Sequence, residues 1–325
     1  MLRFLLRMTF FTALITLITV FSARMIGVET GQPVLMWEHE ISDSIAMMLW
    51  DGRNIFRFPS ETMRGLRWSP DGRWAWIANR DRQNRVVVWD HSRIHIVSVP
   101  DVLNRNLVWS RDGRLAWQGQ INGMSAIYVW DGARTITVSD PTIHASQPAW
   151  SMDGRMAWVQ TETSALNGEI VVWDGGNITN ITESESDETV PQWSPDGQLA
   201  WSAISGAQRV NVIRWNGTEA VEMRSGTARY AHSPTWSMTN HLAWYGYTET
   251  GKSQIYVWDG VRTLEIGSDN LSNVDPQWSP HGWLAWSTTM MSQYDYSAII
   301  VWDGAAERFI YEVTQGFLYN VAWSP

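Results

Sequence analysis

The feature that most constrains this chain is the spacing of its tryptophans. A Trp-Ser element recurs at Trp68, Trp109, Trp150, Trp193, Trp236, Trp278 and Trp323, with spacings of 41, 41, 43, 43, 42 and 45 residues. Eight residues after each of the first six stands a second tryptophan: Trp76, Trp117, Trp158, Trp201, Trp244 and Trp286. A third set closes each unit in a Trp-Asp-like pair: Trp50-Asp51, Trp89-Asp90, Trp130-Asp131, Trp173-Asp174, Trp215-Asn216, Trp258-Asp259 and Trp302-Asp303. Trp37 supplies the missing second tryptophan, because it precedes Trp50 by 13 residues, as Trp76 precedes Trp89. Of the 23 tryptophans, only Trp74 and Trp283 fall outside this pattern. Self-similarity at such a period marks a repeat architecture.

Val190–Trp201, VPQWSPDGQLAW, is the cleanest copy. Pro195-Asp196-Gly197 supplies turn chemistry: proline presets φ, aspartate can bond nearby backbone, and glycine takes the positive φ. A three-residue loop of this kind makes a hairpin in which Trp193 pairs with Leu199, while Trp201 lies diagonal to Trp193 and Ala200 faces the other way. Both faces are apolar, so the hairpin is expected to be buried between neighbouring sheets. After each third tryptophan come a Gly-type turn and an alternating run, such as Arg134–Val138 or Arg262–Ile266, read as a fourth strand with a polar side. Four-stranded units of about 42 residues are propeller blades. The chain enters on a second strand (Val34–Trp37) and leaves after a first strand (Phe317–Trp323). The expected fold is therefore all-β, a seven-bladed propeller over residues 33–325, with the C-terminal strand completing the N-terminal blade and closing the ring.

The motif P-x-W-S-P-D-G-x-L-A-W followed by I-x-V-W-D-G resembles the TolB-type propeller repeat, a relative of WD-repeat propellers. Pro148, Pro191, Pro234 and Pro276, two residues before the tryptophan, favour the TolB side; a Gly-His pair, which would favour the WD side, is missing. The resemblance covers residues 33–325. It implies a fold rather than a function, because such propellers serve as interaction platforms, as periplasmic envelope proteins and as lids on peptidases. Trp236-Ser237-Met238-Thr239-Asn240 departs from the repeat, with Asn240 in place of the turn glycine.

The start of the chain has another character. Arg3 and Arg7 precede Met8–Phe21, a run of 14 residues without a charge. Residues 1–25 are read as a hydrophobic helix serving as an uncleaved signal anchor, the alternative being a signal peptide cleaved after Val20-Phe21-Ser22. Residues 26–32 form a linker. Both readings place the propeller on the extracytoplasmic side, tethered to the membrane in one case and secreted in the other. The net charge of −9 and a single lysine, Lys252, argue against a nucleic-acid partner. The absence of cysteine removes disulfides, thiol nucleophiles and thiolate metal sites.

The repeated aspartates are read as turn residues and the repeated tryptophans as core. Function is sought in what does not repeat. The first-to-second and third-to-fourth strand turns share one face of the ring. The second-to-third loops and the inter-blade loops emerge on the opposite one, which is the expected binding face. There Arg80, Arg82 and Arg85 make a basic sector, and Glu183–Glu188 an acidic one. Tyr245, Tyr247, Tyr294 and Tyr296 make an aromatic sector, and Arg229, Tyr230, His232 and His144 are placed on inter-blade loops. Tyrosine and arginine are favoured at interfaces. The histidines show no metal-binding or zincin spacing, and no nucleophile elbow occurs, so no catalytic residue, metal or cofactor is assigned. The expected function is a non-enzymatic, monomeric propeller that binds a protein or peptide on its long-loop face. The alternative is a hydrolase or lyase acting on a glycan or small substrate in the central funnel, with Asp81, Glu162, Asp295, Arg80 and Arg229 as candidates. A purely structural spacer is a third reading.

Overall fold

A computed structural model of the chain describes residues 34–324, apart from 42–43, 60–62, 81–82, 163–166, 206–208, 224–227, 229, 249–250, 268–269 and 291–295. The anchor or signal segment 1–25 and the linker 26–32 lie outside the described residues. Among the described residues no helix is long and apolar enough to cross a membrane. Every regular element among them is a strand.

The strands run in chain order. They are β1 (Leu35–Ile41), β2 (Ser44–Trp50), β3 (Ile55–Pro59), then β4 (Met63–Trp68), β5 (Trp74–Arg80), β6 (Gln83–Trp89), β7 (Ile94–Ile96), then β8 (Leu103–Trp109), β9 (Leu115–Ile121), β10 (Met124–Trp130) and β11 (Thr135–Thr137). Next come β12 (His144–Trp150), β13 (Met156–Thr161), β14 (Glu169–Trp173), β15 (Ile178–Asn180), then β16 (Asp187–Trp193), β17 (Leu199–Ser205), β18 (Arg209–Trp215) and β19 (Ala220–Met223). Last are β20 (Tyr230–Trp236), β21 (Leu242–Tyr247), β22 (Ser253–Trp258), β23 (Thr263–Ile266), then β24 (Ser272–Trp278), β25 (Leu284–Thr289), β26 (Ser297–Trp302), β27 (Glu307–Val313) and β28 (Phe317–Trp323). Five sheets are four-stranded and antiparallel; four of them are meanders of consecutive strands, and the fifth runs in the order β28-β1-β2-β3. Two further meanders, β16–β19 and β20–β23, are joined into one sheet by a single parallel pair, Val210↔Tyr230. This is a β-propeller architecture.

The hairpin register follows the turn chemistry. Trp193 pairs with Leu199, the Ser194 N–H donates to the Gln198 carbonyl at 2.8 Å, and Gly197 sits at φ 88°. Ala200 and Trp201 enter different core clusters, so the two faces of the hairpin are packed by different neighbours. The second-strand tryptophans are the best buried, with Trp117, Trp158, Trp244 and Trp286 fully inside. Each large ring removed from water contributes on the order of several kcal/mol.

The Trp-Asp aspartates are turn residues in every unit. Asp51, Asp90, Asp131, Asp174, Asp259 and Asp303 each accept two backbone N–H groups from the residues two and three positions on. Asn216 does the same through its Oδ1. The Asp of Pro-Asp-Gly and its relatives has a second role. Asp71, Asp112 and Asp153 hold Arg73, Arg114 and Arg155. Each guanidinium lies over the first tryptophan of the next unit, 4.9 Å from the Trp109 centroid, 4.3 Å from Trp150 and 4.7 Å from Trp193. Arg73 and Arg114 also donate to the carbonyls of Gly113 and Gly154 in the next unit's turn. The short-turn face is thus stitched across three successive junctions, from the unit of Arg73 to that of Trp193.

The first strands of successive units touch in a cycle: β4 to β8, β12, β16, β20, β24, β28 and back to β4. At the ends of the chain, β28 pairs with β1, with Leu35 opposite Trp323 and Glu40 opposite Phe317. Trp37 from one end packs there with Leu318 and Val321 from the other, and with Ile299 and Val301.

Candidate functional site

One backbone feature recurs on every first strand. The residue three before each first tryptophan has positive φ: Gly65, Asn106, Gln147, Val190, Ser233, Asp275 and Asn320, between 51° and 60°. The pairing register shifts at each of these positions, as at a β-bulge. Asparagine, aspartate and glycine tolerate that conformation, whereas β-branched Val190 is strained in it. Two bulges are tied to a neighbouring unit. Gln147 Oε1 accepts the Val190 N–H at 2.7 Å, and Glu38 Oε1 accepts the Gly65 N–H at 2.8 Å.

At the end of the first strands away from the short turns, the β20–β21–β24 sector gathers aromatic and polar side chains. His232 on β20 stacks on Tyr245 of β21 with ring centroids 5.6 Å apart, and meets Tyr247 edge-on at 6.4 Å. Tyr245 and Tyr247 are themselves 5.8 Å apart. The Ser233 hydroxyl hydrogen-bonds to both Asp275 and Tyr245. Asp275 is reached by solvent, yet protein crowds it closely, and this desolvation raises its carboxyl above the ordinary range. Burial lowers His232 and raises the Tyr245 phenol, with the Asp275 charge adding to the rise. Every group in the cluster is thus pushed toward its neutral form. Such a patch offers hydrogen-bonding rings and a carboxyl in a partly dried setting, suited to polar and aromatic contacts.

The residues expected from the sequence divide three ways. Tyr230, Tyr245 and Tyr247 come together in this sector, Tyr230 opposite Tyr247 in the β20–β21 register. They stand on strands rather than loops, as do His232 and His144, because β12, β20 and β21 extend further toward the long-loop face than the repeat suggested. Arg85 lies on β6 opposite Ala78, in the second unit, and Tyr296 precedes β26 in the last. Arg82, Arg229 and Tyr294 lie outside the described residues, as does the Arg80 side chain. Asp275 and Ser233 were missed. The available signal was the position three before the tryptophan, where Gly65, Asn106, Asp275 and Asn320 are types that accept positive φ.

A buried acid on the same face was also unexpected. Glu188 on β16 is 2% exposed, and burial pushes its carboxyl up to about 7, helped by Glu169 and Asp187 and opposed by a hydrogen bond from Ser184. Among the described residues, no group of three or more acidic or histidine side chains is placed to hold a metal ion.

No protein-family model matches the chain, and no curated protein matches it. Solved structures do. The β-propeller domain of the Trilobed protease from Pyrococcus furiosus is 16% identical with a TM-score of 0.70, over 86% of this chain and 95% of that one. TolB from Acinetobacter baumannii is 17% identical with a TM-score of 0.56, over 91% and 84%. A puromycin-hydrolyzing peptidase from Mycobacterium tuberculosis is 12% identical with a TM-score of 0.65, over 86% of this chain but only 53% of that one. The chain therefore spans about half the length of that peptidase. At these identities the likeness is one of fold.

Proposed function

We propose that this chain is a closed, seven-bladed, monomeric propeller on the extracytoplasmic side. Residues 1–25 hold it at the membrane or are cleaved to release it, and residues 26–32 link to the ring over 33–325. It acts as a non-enzymatic scaffold whose long-loop face binds a protein or peptide. The cyclic contacts of the first strands and the β28–β1 pairing support the count and the closure. The likeness to TolB supports the extracytoplasmic placement. The observation that carries the binding reading is the Tyr230–His232–Tyr245–Tyr247–Asp275 sector, where aromatic rings and a carboxyl cluster at the long-loop end. Arg80, Arg82, Arg85, Arg229, Tyr294 and Tyr296 extend the proposed surface.

The test is proximity labelling in the native host. Wild type is compared with Tyr245→Ala/Tyr247→Ala, and with charge reversal at Arg80, Arg82 and Arg85 combined with Tyr294→Ala and Tyr296→Ala. Loss of the same labelled proteins in these variants supports the face. A labelling pattern identical in every variant rejects it. The enzymatic alternative would use His232, whose burial disfavours its charged form, and Asp275, whose carboxyl desolvation raises. Turnover of chromogenic peptides or glycosides that disappears in Asp275→Asn would turn the assignment to an enzyme.

A further inference from the structure

The Tyr245 sector is open to a partner. Asp275 is exposed, and His232, Tyr245 and Tyr247 are half-buried, so solvent reaches each of them. Resting on the reading that this face binds a peptide, we propose that the sector receives the guanidinium of an arginyl side chain, stacked on its rings and paired with Asp275.

The repeat does not demand these side chains. The pairs that match His232 and Tyr245 in register are Ser146 and Val159, Thr189 and Ser202, and Val274 and Ser287. Asn106 and Asn320 hold the same bulge as Asp275, so the bulge needs no charge. The hydrogen bonds fix what is left for a ligand. A carboxylate only accepts, so the single Ser233 hydroxyl proton goes to Asp275, and the Tyr245 hydroxyl donates to Ser233 Oγ. Both protons are spent within the chain of side chains. Acceptor capacity remains on Asp275 and on the Tyr245 oxygen. Among the described residues no cation pairs with Asp275, although its charge is felt at both the Tyr245 and Tyr247 phenols. An anion would meet Asp275 unfavourably, and an apolar side chain would dry the carboxyl without pairing it. A cation supplies the donors and favours the charged carboxylate. The ring geometry selects arginine over lysine. His232 and Tyr245 lie 28° from parallel, and Tyr247 stands edge-on to them at 81° and 78°. A planar guanidinium stacks on such faces and offers a fork to the carboxylate, whereas an ammonium is a compact, strongly hydrated charge.

The experiment titrates acetyl-Ala-Arg-Ala-amide into the full chain, beside the same peptide with citrulline or lysine in place of arginine. Citrulline keeps the shape and removes the charge. Binding is read by calorimetry and by the rise in unfolding temperature that a ligand selective for the native state produces. The expected result is saturable millimolar binding of the arginine peptide, with citrulline at least tenfold weaker and lysine severalfold weaker. Asp275→Asn should bring the arginine peptide down to the citrulline affinity with the unliganded unfolding temperature in place, since asparagine already occupies this bulge in two other units. Wild-type affinity should fall as the pH drops from about 7 to about 4, where Asp275 takes up its proton and His232 gains charge; in Asp275→Asn only the shallower His232 part remains. Equal affinity for the arginine and citrulline peptides, lysine as tight as arginine, wild-type affinity in Asp275→Asn, or no saturable binding overturns the assignment. The two readings fail separately. Labelled partners lost in Tyr245→Ala/Tyr247→Ala, with the arginine and citrulline peptides binding alike, keep the face and remove the guanidinium. Labelling unchanged in every variant removes the face, whatever the peptides do.

Discussion

Two single residues behave in ways their types alone would not suggest. Glu188 holds a proton to about pH 7 in the folded chain, whereas the ordinary value is 4.5. The folded state therefore binds more protons than the unfolded state between those values, and stability must fall as pH rises through that window. The shift sets a ceiling of about 3 kcal/mol on the effect. Glu188→Gln should stabilise the protein near neutral pH and flatten the slope of urea midpoint against pH between about 4.5 and 7; an unchanged slope contradicts the assignment. Arg114 is the second case. It is held by Asp112, lies over Trp150 and donates to the Gly154 carbonyl. Arg114→Gln should cost about 1–2 kcal/mol in denaturant unfolding, and Arg114→Lys somewhat less, because lysine keeps the charge but loses the planar fork. A loss under a few tenths of a kcal/mol would mean that the stitching is ornamental. Neither residue was legible in the sequence. Glu188 lies in an acidic run that reads as a solvated rim, and the Arg114–Trp150 contact joins positions that only the blade-to-blade packing brings together.

The strands themselves were largely legible, since turn chemistry fixes their register locally. Pro195-Asp196-Gly197 gives Trp193 opposite Leu199, and the last strand begins and ends where its pattern does, at Phe317 and Trp323. The first strands were not fully legible. Their bulges at Asn106, Gln147, Val190, Ser233 and Asp275 arise where neighbouring units converge, and a hairpin considered alone has no reason to bulge. Tyr230 and His232 turn up on a strand because β20 keeps pairing with β21 beyond the bulge at Ser233. The β28–β1 strand pair makes a sharp claim of its own. Gly316, at φ 90°, turns the chain into β28, and a Cβ there would run into the Glu40 carbonyl oxygen. Gly316→Ala should destabilise the protein by roughly 2–4 kcal/mol, with faster hydrogen exchange concentrated in Leu35–Ile41 and Phe317–Trp323. Wild-type exchange in both strands would show that the pair does not depend on this turn.

At the scale of the whole molecule, the period came from the tryptophans and the long-loop face from what does not repeat, while the Tyr245–Asp275 sector proposed on that face came from geometry. Tyr245 and Asp275 are 30 positions apart in sequence. They share a sector only because β20–β21 and β24 are neighbours in the cycle of first strands. If the β28–β1 pair closes the cycle of first strands into a ring, that closure fixes the long-loop face proposed for binding. The chain has no cysteine, so a designed thiol pair has no competitor. Glu40 and Phe317 are directly opposed in the β1–β28 register. The most direct measurement is therefore disulfide formation in Glu40→Cys/Phe317→Cys under mild oxidation, followed by the unfolding midpoint. Closure predicts near-complete intramolecular oxidation and stabilisation of up to about 4 kcal/mol relative to the reduced form. Free thiols or intermolecular dimers after oxidation, with no gain in midpoint, would contradict a closed ring.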